Sequence, residues 1–219
     1  MLDGYAYESG LWSEGFQRVM GLDEVGRGCL AGPVVAAGVI LKPGIRLDGI
    51  ADSKKLSAPA RSRMEAAIKE NALYWVVCSC SNEEIDRINI LKASLLAMKR
   101  CIESDQAIPD YLLVDGNKEV DVLLPQTVLV SGDQKSVSIG AASILAKVER
   151  DRIMKTWHNS YPEFGWDKNV GYPTKVHYSA LAQYGVTPLH RTSFRLGTTK
   201  EYVSEMNVRE DKRKADLSS

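Results

Sequence analysis

No segment of the 219-residue sequence approaches the roughly 20 apolar residues that a membrane-spanning helix needs. Residues 1–16 have neither a basic start nor an apolar run, which argues against a secretory signal. The two absences together predict a cytoplasmic protein. The 28 basic and 28 acidic residues leave no net charge, so any polyanion-binding surface must be local. Candidates for it in the final third are Lys168, Lys175, His177, His190, Arg191, Arg195 and Lys200.

Cysteine and histidine are also scarce, with four and three residues respectively. Cys78 and Cys80 lie in an apolar run, and no second cysteine pair or nearby histidine completes a zinc set. In a chain of this size without a signal, the cysteines are expected to be reduced thiols. What remains is the composition of an ordinary globular protein, 44% hydrophobic and 26% charged.

Apolar runs and helical periods predict an α/β fold, a mixed β-sheet flanked by helices with a mostly helical C-terminal portion from about residue 152. Strands are predicted at Arg18–Glu24, Pro33–Leu41, Leu73–Cys80, Tyr111–Asp115 and Thr127–Val130. Helices are predicted from about Ser57, from Ser81 through Ile102, from about Ser136, and over Thr174–Tyr184. No linker divides the chain, so residues 1–200 are expected to form one domain, followed by a disordered polar tail at 201–219.

The segment Gly21–Gly28 joins two adjacent carboxylates, Asp23 and Glu24, to a loop that carries one arginine between two glycines. Carboxylates bind hard divalent cations such as Mg²⁺ or Mn²⁺. Glycines allow backbone N–H groups to approach a ligand closely. The segment therefore suits phosphate-ester chemistry, although an Asp-Glu pair taken alone is more often a strand that ends in a turn with exposed charges.

Two further aspartates strengthen the metal interpretation. Asp115 ends an apolar strand, and Asp133 follows Gly132 just before a predicted helix. Open α/β sheets place their active sites at such strand ends, and two divalent ions would neutralise four gathered carboxylates and clamp a phosphodiester. One difficulty is that neighbours in a straight strand face opposite sides. Asp23 and Glu24 reach one site only if the strand bends at Val25-Gly26, or if the longer glutamate folds around the edge.

Several motifs in order give a specific resemblance. They are GLDEVGRG (21–28) followed by AGPVVAA, DSKKL (52–56), LLVDG (112–116), GDQKSVSIGAASILAKVERD (132–151), GYPTKVH (171–177) and HRTSF (190–194). From about Leu11 to Phe194 the chain resembles ribonuclease HII of the bacterial type, with no departure at the positions that carry the motifs.

The resemblance implies a ribonuclease H-like fold and an enzyme that requires Mg²⁺ or Mn²⁺. Its substrates would be the RNA strand of RNA–DNA hybrids and duplex DNA with embedded ribonucleotides, cut on the 5′ side to leave 3′-hydroxyl and 5′-phosphate ends. The resemblance also assigns roles to individual residues. Asp23, Glu24, Asp115 and Asp133 match the catalytic carboxylates, Gly26, Arg27 and Gly28 match the loop that senses the 2′-hydroxyl, and Tyr172 matches the aromatic residue that stacks on the sugar at the RNA–DNA junction.

Physical reasoning agrees with these roles. The 2′-hydroxyl is the local group that distinguishes RNA from DNA, and a tyrosine offers a flat face and a hydrogen-bonding hydroxyl. Lys54 and Lys55 are candidate phosphate contacts, with a solvated pair as the alternative. His177 and His190 are expected to be packed and hydrogen-bonded rather than to bind phosphate. Nothing in the sequence demands more than a monomer.

Two other functions have less support in the sequence. A catalytically silent module that binds RNA–DNA hybrids is disfavoured, because all four carboxylates are present. A nucleotide-binding switch is weaker still, because the glycine-rich loop lacks the G-x-x-x-x-G-K-[ST] pattern.

Overall fold

The structure is a computed structural model that describes residues 5–47, 49–50 and 57–197. Three sequence predictions lie outside these residues: the phosphate contacts of Lys54 and Lys55, the place of Lys200 in the basic surface, and the tail at 201–219.

Five strands and seven α-helices form within the described residues. The strands are β1 (Val19–Val25), β2 (Val34–Leu41), β3 (Ala72–Cys80), β4 (Tyr111–Asp115) and β5 (Gln126–Leu129). The helices are α1 (Ala6–Ser13), α2 (Ala58–Asn71), α3 (Asn82–Ile88), α4 (Ile90–Ile102), α5 (Val137–His158), α6 (Trp166–Asn169) and α7 (Lys175–Tyr184). In these ranges no helix is long and apolar enough to cross a membrane.

The strands form one mixed sheet in the order β3-β2-β1-β4-β5. β1, β2 and β3 pair antiparallel, whereas β1–β4 and β4–β5 pair parallel. The side chains of β2 alternate between two buried clusters. One face packs on α4 and the other on α5 and α2, which explains why the apolar run of β2 is uninterrupted. The predicted mixed sheet flanked by helices is confirmed.

The parallel pairing of β1 with β4 brings two carboxylate-bearing strand ends together. Leu22 pairs with Val114, so the residues that follow each of them, Asp23 and Asp115, lie at the same edge of the sheet. Helix α5 approaches this edge closely, because a Cβ on Gly21 would lie only 2.2 Å from the carbonyl carbon of Ser138. A glycine at position 21 therefore allows the first turn of α5 to lie directly on β1.

Helix α1 is an element that the sequence pattern did not predict. Its Glu8 is fully buried, and Oε1 accepts hydrogen bonds from Ser136 Oγ at 2.5 Å and from the Ser138 N–H at 2.9 Å. Ser136 is also the N-cap of α5, where its Oγ accepts from the Ile139 N–H. A carboxylate at a helix N-terminus is stabilised by the helix dipole and the unpaired N–H groups. Glu8 thus secures the start of α5.

The helix predicted from Ser81 through Ile102 is two helices. Asn89 has a φ of 69° and separates α3 from α4. Its side chain accepts a hydrogen bond from the Lys92 N–H at 3.1 Å, so it caps the second helix. The periodic apolar face continues across the break, which is why the pattern indicated one helix. The capping box at Ser81 and Glu84 is present as predicted.

Candidate active site

A cleft of about 370 Å³ opens at the edge of the sheet where β1 and β4 end. All four predicted carboxylates line it: Asp23 and Glu24 from the end of β1, Asp115 from the end of β4, and Asp133 from the 3₁₀ turn that precedes α5. Tyr172 lines the same cleft from the C-terminal portion. The structure therefore brings together residues that are more than a hundred positions apart in the chain.

The two aspartates outside β1 are held by a short turn. Asp115 Oδ1 accepts a hydrogen bond from the Gly132 N–H at 2.6 Å, which ties the end of β4 to the turn. The Gly132 carbonyl in turn accepts from the Ser136 N–H at 2.8 Å, at the start of α5. Asp133 directly follows Gly132, the residue that makes both bonds, and is buried. Its position therefore depends on β4 and on α5 at once.

Burial and repulsion by neighbouring carboxylates both raise the pKa of the two β1 carboxyl groups. Burial raises the pKa of Asp23 well above its ordinary value, and the neighbouring Asp115 and Glu24 carboxylates raise it further, whereas a hydrogen bond from Ser143 lowers it. Burial also raises the pKa of Glu24, and Arg27 opposes this effect. A cleft that disfavours negative charge in this way favours a bound cation.

Glu24 reaches the cleft without a bulge in its strand. The register of β1 with β2 is regular through Asp23, Glu24 and Val25, and the sharp change of direction comes afterwards, at Gly26 with a φ of +95°. Because the pairing is regular, the strand does not bend before Gly26. Asp23 and Glu24 line one cleft because the longer glutamate side chain reaches around the edge of the strand. Glu24 Oε1 lies 3.0 Å from the Arg27 guanidinium.

The donor chemistry of this cleft suits a hard divalent cation. The four acidic side chains offer only oxygen ligands, and neither thiol nor imidazole lines the cleft among the described residues. In the arrangement of the residues at 5–47, 49–50 and 57–197, no three acidic, histidine or cysteine side chains are grouped so that they could hold an ion. Glu24 is engaged by Arg27, and Asp115 by the Gly132 N–H, so binding of an ion would exchange these protein donors for the metal.

The glycine-arginine-glycine loop lies beside Tyr172. Gly26 is buried, and a Cβ there would lie 2.1 Å from Arg150 Nε. Gly28 differs, because its Cβ would meet nothing nearer than Tyr172 Cε1 at 4.0 Å. Arg27 and Gly28 are exposed, and the Tyr172 side chain is 38% exposed. The loop and the tyrosine ring thus present adjacent, accessible surfaces next to the carboxylates.

Sequence reasoning missed three further residues of the cleft: Arg61, Ser143 and Lys147. Ser143 hydrogen-bonds Asp23, and Lys147 pairs with Asp151 one turn further along α5. The spacing of four residues between these polar positions, on a largely apolar helix, is the signal that could have identified them.

The basic surface predicted in the final third is only partly present. His177, His190 and Arg191 are buried, and their side chains hydrogen-bond the backbone or each other instead of facing solvent. Lys168, Lys175 and Arg195 are exposed, and Lys200 lies beyond the described ranges.

Comparison with known proteins decides the family. The family model described as Ribonuclease HII matches residues 20–197. The chain belongs to the ribonuclease HII family. A relative named Ribonuclease HII from Salinibacter ruber is 50% identical over 195 residues, which cover 87% of this chain and 98% of the relative. Membership makes the chain a ribonuclease H, a hydrolase with RNase H-type endonuclease activity.

Solved structures agree with the family. An RNase HII from Archaeoglobus fulgidus, solved in complex with PCNA, is 26% identical, with a TM-score of 0.68 over 80% of this chain and 92% of that chain. Bst-RNase HIII, solved in complex with Mn²⁺, is 21% identical, with a TM-score of 0.66 over 90% of this chain and 73% of that chain. The second likeness shows the fold alone, and the predicted ribonuclease H-like fold is thereby confirmed.

Proposed function

We propose that this endonuclease hydrolyses the RNA strand of RNA–DNA hybrids and nicks duplex DNA on the 5′ side of an embedded ribonucleotide, leaving 3′-hydroxyl and 5′-phosphate ends. The observation that carries the proposal is the common cleft of four carboxylates with Tyr172 at its wall and the loop of Gly26, Arg27 and Gly28 beside that ring. The proposed metal ligands and the proposed sugar contacts are therefore adjacent, which supports cleavage at one chosen nucleotide.

Asp23, Glu24, Asp115 and Asp133 would hold two divalent ions, Mg²⁺ or Mn²⁺. When bound, such ions would activate the attacking water and neutralise charge that develops on the phosphate. The Mn²⁺ complex of the RNase HIII neighbour supports this choice of ion. The protein contributes rigid placement of the ligands, since Asp115 is tied to the Gly132 N–H and Asp23 to Ser143.

The other half of the cleft would read the sugar. Tyr172 offers an exposed ring against which a deoxyribose or ribose can pack. The exposed backbone around Arg27 and Gly28 would contact the 2′-hydroxyl, the group that distinguishes the two sugars. Lys54 and Lys55 are proposed as phosphate contacts. The positions of these residues relative to the carboxylates would select which phosphodiester enters the metal site.

All these residues belong to one chain, so we propose that a monomer is sufficient for catalysis. RNA–DNA hybrids and ribonucleotide-containing DNA are the proposed substrates, and a cytoplasmic location follows from them.

The experiment is cleavage of an end-labelled DNA duplex that carries one ribonucleotide, compared with an all-DNA duplex and with an RNA–DNA hybrid. We expect a single cut 5′ to the ribonucleotide in Mg²⁺ and in Mn²⁺, and no cut of all-DNA or after chelation of the metal. Cleavage of the hybrid without cleavage at the single ribonucleotide would contradict the sugar-reading roles. Tight binding to both substrates with no cleavage would instead favour a silent binding module.

Metal affinity is expected to fall as the pH is lowered. An ion must displace protons from its carboxylates, and the pKa of Asp23 and that of Glu24 are both raised by burial. Protons therefore begin to compete at a pH above the ordinary carboxylate range of about 4. Calorimetric titration of the substrate-free protein with Mn²⁺, between about pH 8 and about pH 5, should show progressive weakening.

The matched control for this titration is Asp23→Asn, which removes the carboxyl group with the most strongly raised pKa. That variant should bind Mn²⁺ more weakly at neutral pH and lose less affinity on acidification. If the Mn²⁺ affinity of the unmodified protein stayed constant down to about pH 5, protons would not compete with the ion for these carboxylates.

A further inference from the structure

A buried pair of histidines contacts the backbone of Tyr172. His177 and His190 are at most 1% exposed, and their Nε2 atoms are 3.0 Å apart. His177 Nδ1 lies 3.1 Å from the Tyr172 carbonyl oxygen, while His190 Nδ1 lies 2.9 Å from the Thr187 N–H nitrogen. The pair therefore connects the segment at Thr187 to the backbone of the tyrosine.

Hydrogen-bond chemistry assigns one tautomer to each ring. The Thr187 N–H can only donate, so His190 Nδ1 accepts and its proton is on Nε2. His190 Nε2–H then donates to His177 Nε2, which leaves the His177 proton on Nδ1, where it donates to the Tyr172 carbonyl. The indole N–H of Trp166, also only a donor, points at His177 Nε2 and agrees with this assignment. Burial lowers the pKa of both rings, that of His190 to about 4, so both are neutral at neutral pH.

The next residue holds the other substrate-reading element. Arg191 is fully buried and donates hydrogen bonds to three backbone carbonyls. Nη2 donates to Gly26 at 2.7 Å, Nη1 to Arg27 at 2.9 Å and Nε to Gly32 at 2.9 Å. The planar guanidinium presents its donors in a fixed fork, so these carbonyls are held in one geometry relative to the arginine.

We propose that His190 and Arg191 form one positioning element that fixes the distance between the Tyr172 ring and the loop of Gly26, Arg27 and Gly28, and so sets how strongly the enzyme discriminates a ribonucleotide from a deoxyribonucleotide. The inference rests on the proposed function and deepens it. Tyr172 and the loop of Gly26, Arg27 and Gly28 lie far apart in sequence. Two adjacent residues, His190 and Arg191, hold both of them in place.

Asp23 and Asp115 are held by other elements, whereas Glu24 contacts Arg27 in the loop that Arg191 binds. Ser143 of α5 contacts Asp23, and the Gly132 N–H binds Asp115. A change at residue 190 is therefore expected to alter recognition of the sugar while Mn²⁺ binding stays as it was. This separation is what distinguishes a positioning role from general support of the fold.

Three variants test the inference. The side chain of His190→Asn reaches only as far as Nδ1, so it keeps the acceptor for Thr187 and loses the link to His177. His190→Gln reaches as far as Nε2, so it keeps a donor for His177 and loses the bond to Thr187. Arg191→Lys keeps the charge and loses the fork that joins Gly26 to Arg27.

The measurement is the ratio of dissociation constants for an all-DNA duplex and for the same duplex with one ribonucleotide. It is made in an Asp115→Asn background so that the substrate is not cut. We expect His190→Asn and Arg191→Lys to reduce this ratio by about tenfold, as the loss of one charged or buried hydrogen bond does, and His190→Gln to reduce it much less. In the His190→Asn protein with Asp115 intact, the KM for the single-ribonucleotide duplex should rise while Mn²⁺ affinity, measured by calorimetry, is unchanged.

Met98→Ala provides a control for loss of stability, because Met98 lies on α4 and is buried in the cluster on the opposite face of the sheet from α5. It should lower the melting temperature and leave the ratio unchanged. An equal fall of the ratio in Met98→Ala, or equal falls in the two His190 variants, would overturn the positioning role. So would a normal ratio in Arg191→Lys. If the parent protein itself did not discriminate between the duplexes, the proposed function would fail, and this inference with it.

Discussion

Asp115→Asn is expected to reduce cleavage by roughly 10³-fold or more and, at the same time, to make the protein harder to unfold. The loss follows because a neutral amide contributes far less to binding divalent ions, whose charge stabilisation is worth several kcal/mol. Cleavage of the single-ribonucleotide duplex in Mg²⁺ measures it. The fold should survive, since an asparagine Oδ1 can still accept the hydrogen bond from the Gly132 N–H.

The gain in stability follows from the direction of the pKa shifts. The pKa of Asp23 is raised in the folded protein, so its protonated form is favoured there, and ionisation above the unfolded-state pKa costs stability. Asp115 is one of the causes of that shift, and it also raises the pKa of Glu24. Removing its charge should raise the unfolding free energy by about 1 kcal/mol, which corresponds to about 2–4 °C in melting temperature for a chain of this length.

Asp121→Asn is the matched control, because the side chain of Asp121 is fully exposed and pairs only at the surface with Lys99. It should leave cleavage and melting temperature nearly unchanged. Full activity of Asp115→Asn would remove Asp115 from the proposed metal site, and a fall in the melting temperature of this variant would contradict the predicted effect of removing the Asp115 charge.

Gly26→Ala is expected to reduce nicking at a single ribonucleotide by about 100-fold, the effect of a displacement of about 1 Å in the loop that we propose reads the sugar. The new Cβ would lie 2.1 Å from Arg150 Nε and 2.7 Å from Arg150 Cδ. Arg150 is buried and donates to the carbonyls of Pro33, Val170 and Ala31, so it cannot easily move away. Crowding together with a φ of +95° should lower the unfolding free energy by about 2–4 kcal/mol.

Gly44→Ala separates backbone strain from crowding. Gly44 also has a positive φ, +77°, but nothing lies within 4 Å of the position its Cβ would take. Urea unfolding should show a cost of about 1–2 kcal/mol, the penalty of the left-handed conformation, with nicking unchanged. Nicking by Gly26→Ala at the rate of the unmodified protein would show that the loop does not need its present geometry.

Residues next to secondary-structure ends were the most predictable part of the site. Asp23, Glu24 and Asp115 lie at the ends of apolar strands, and Asp133 precedes a helix, so local pattern and family motif together indicate each of them. The strand predictions for β1 and β4 agree with the structure within one residue at each end. The local pattern identifies these strands because a short apolar run that ends at turn residues is typical of a buried strand.

Residues whose environment depends on distant contacts were not predictable. α1 has no capping side chain at its start, so nothing local indicated a helix that buries Glu8 against Ser136. Gly26 and Gly28 were treated alike, although only Gly26 approaches Arg150 closely. Arg191 was assigned to a basic surface because its charge is visible in the sequence, whereas its three carbonyl partners are not.

The parallel pairing of β1 with β4 also has a consequence for synthesis of the protein on the ribosome. Asp23 and Glu24 are made early, but the proposed metal site also uses Asp133, which lies far along the chain in the turn that precedes α5. At translation rates of about 5–20 residues per second, the interval between the two is on the order of ten seconds. During that time the nascent chain lacks a complete set of carboxylates. The proposed metal site therefore cannot form until all five described strands of the sheet have been translated.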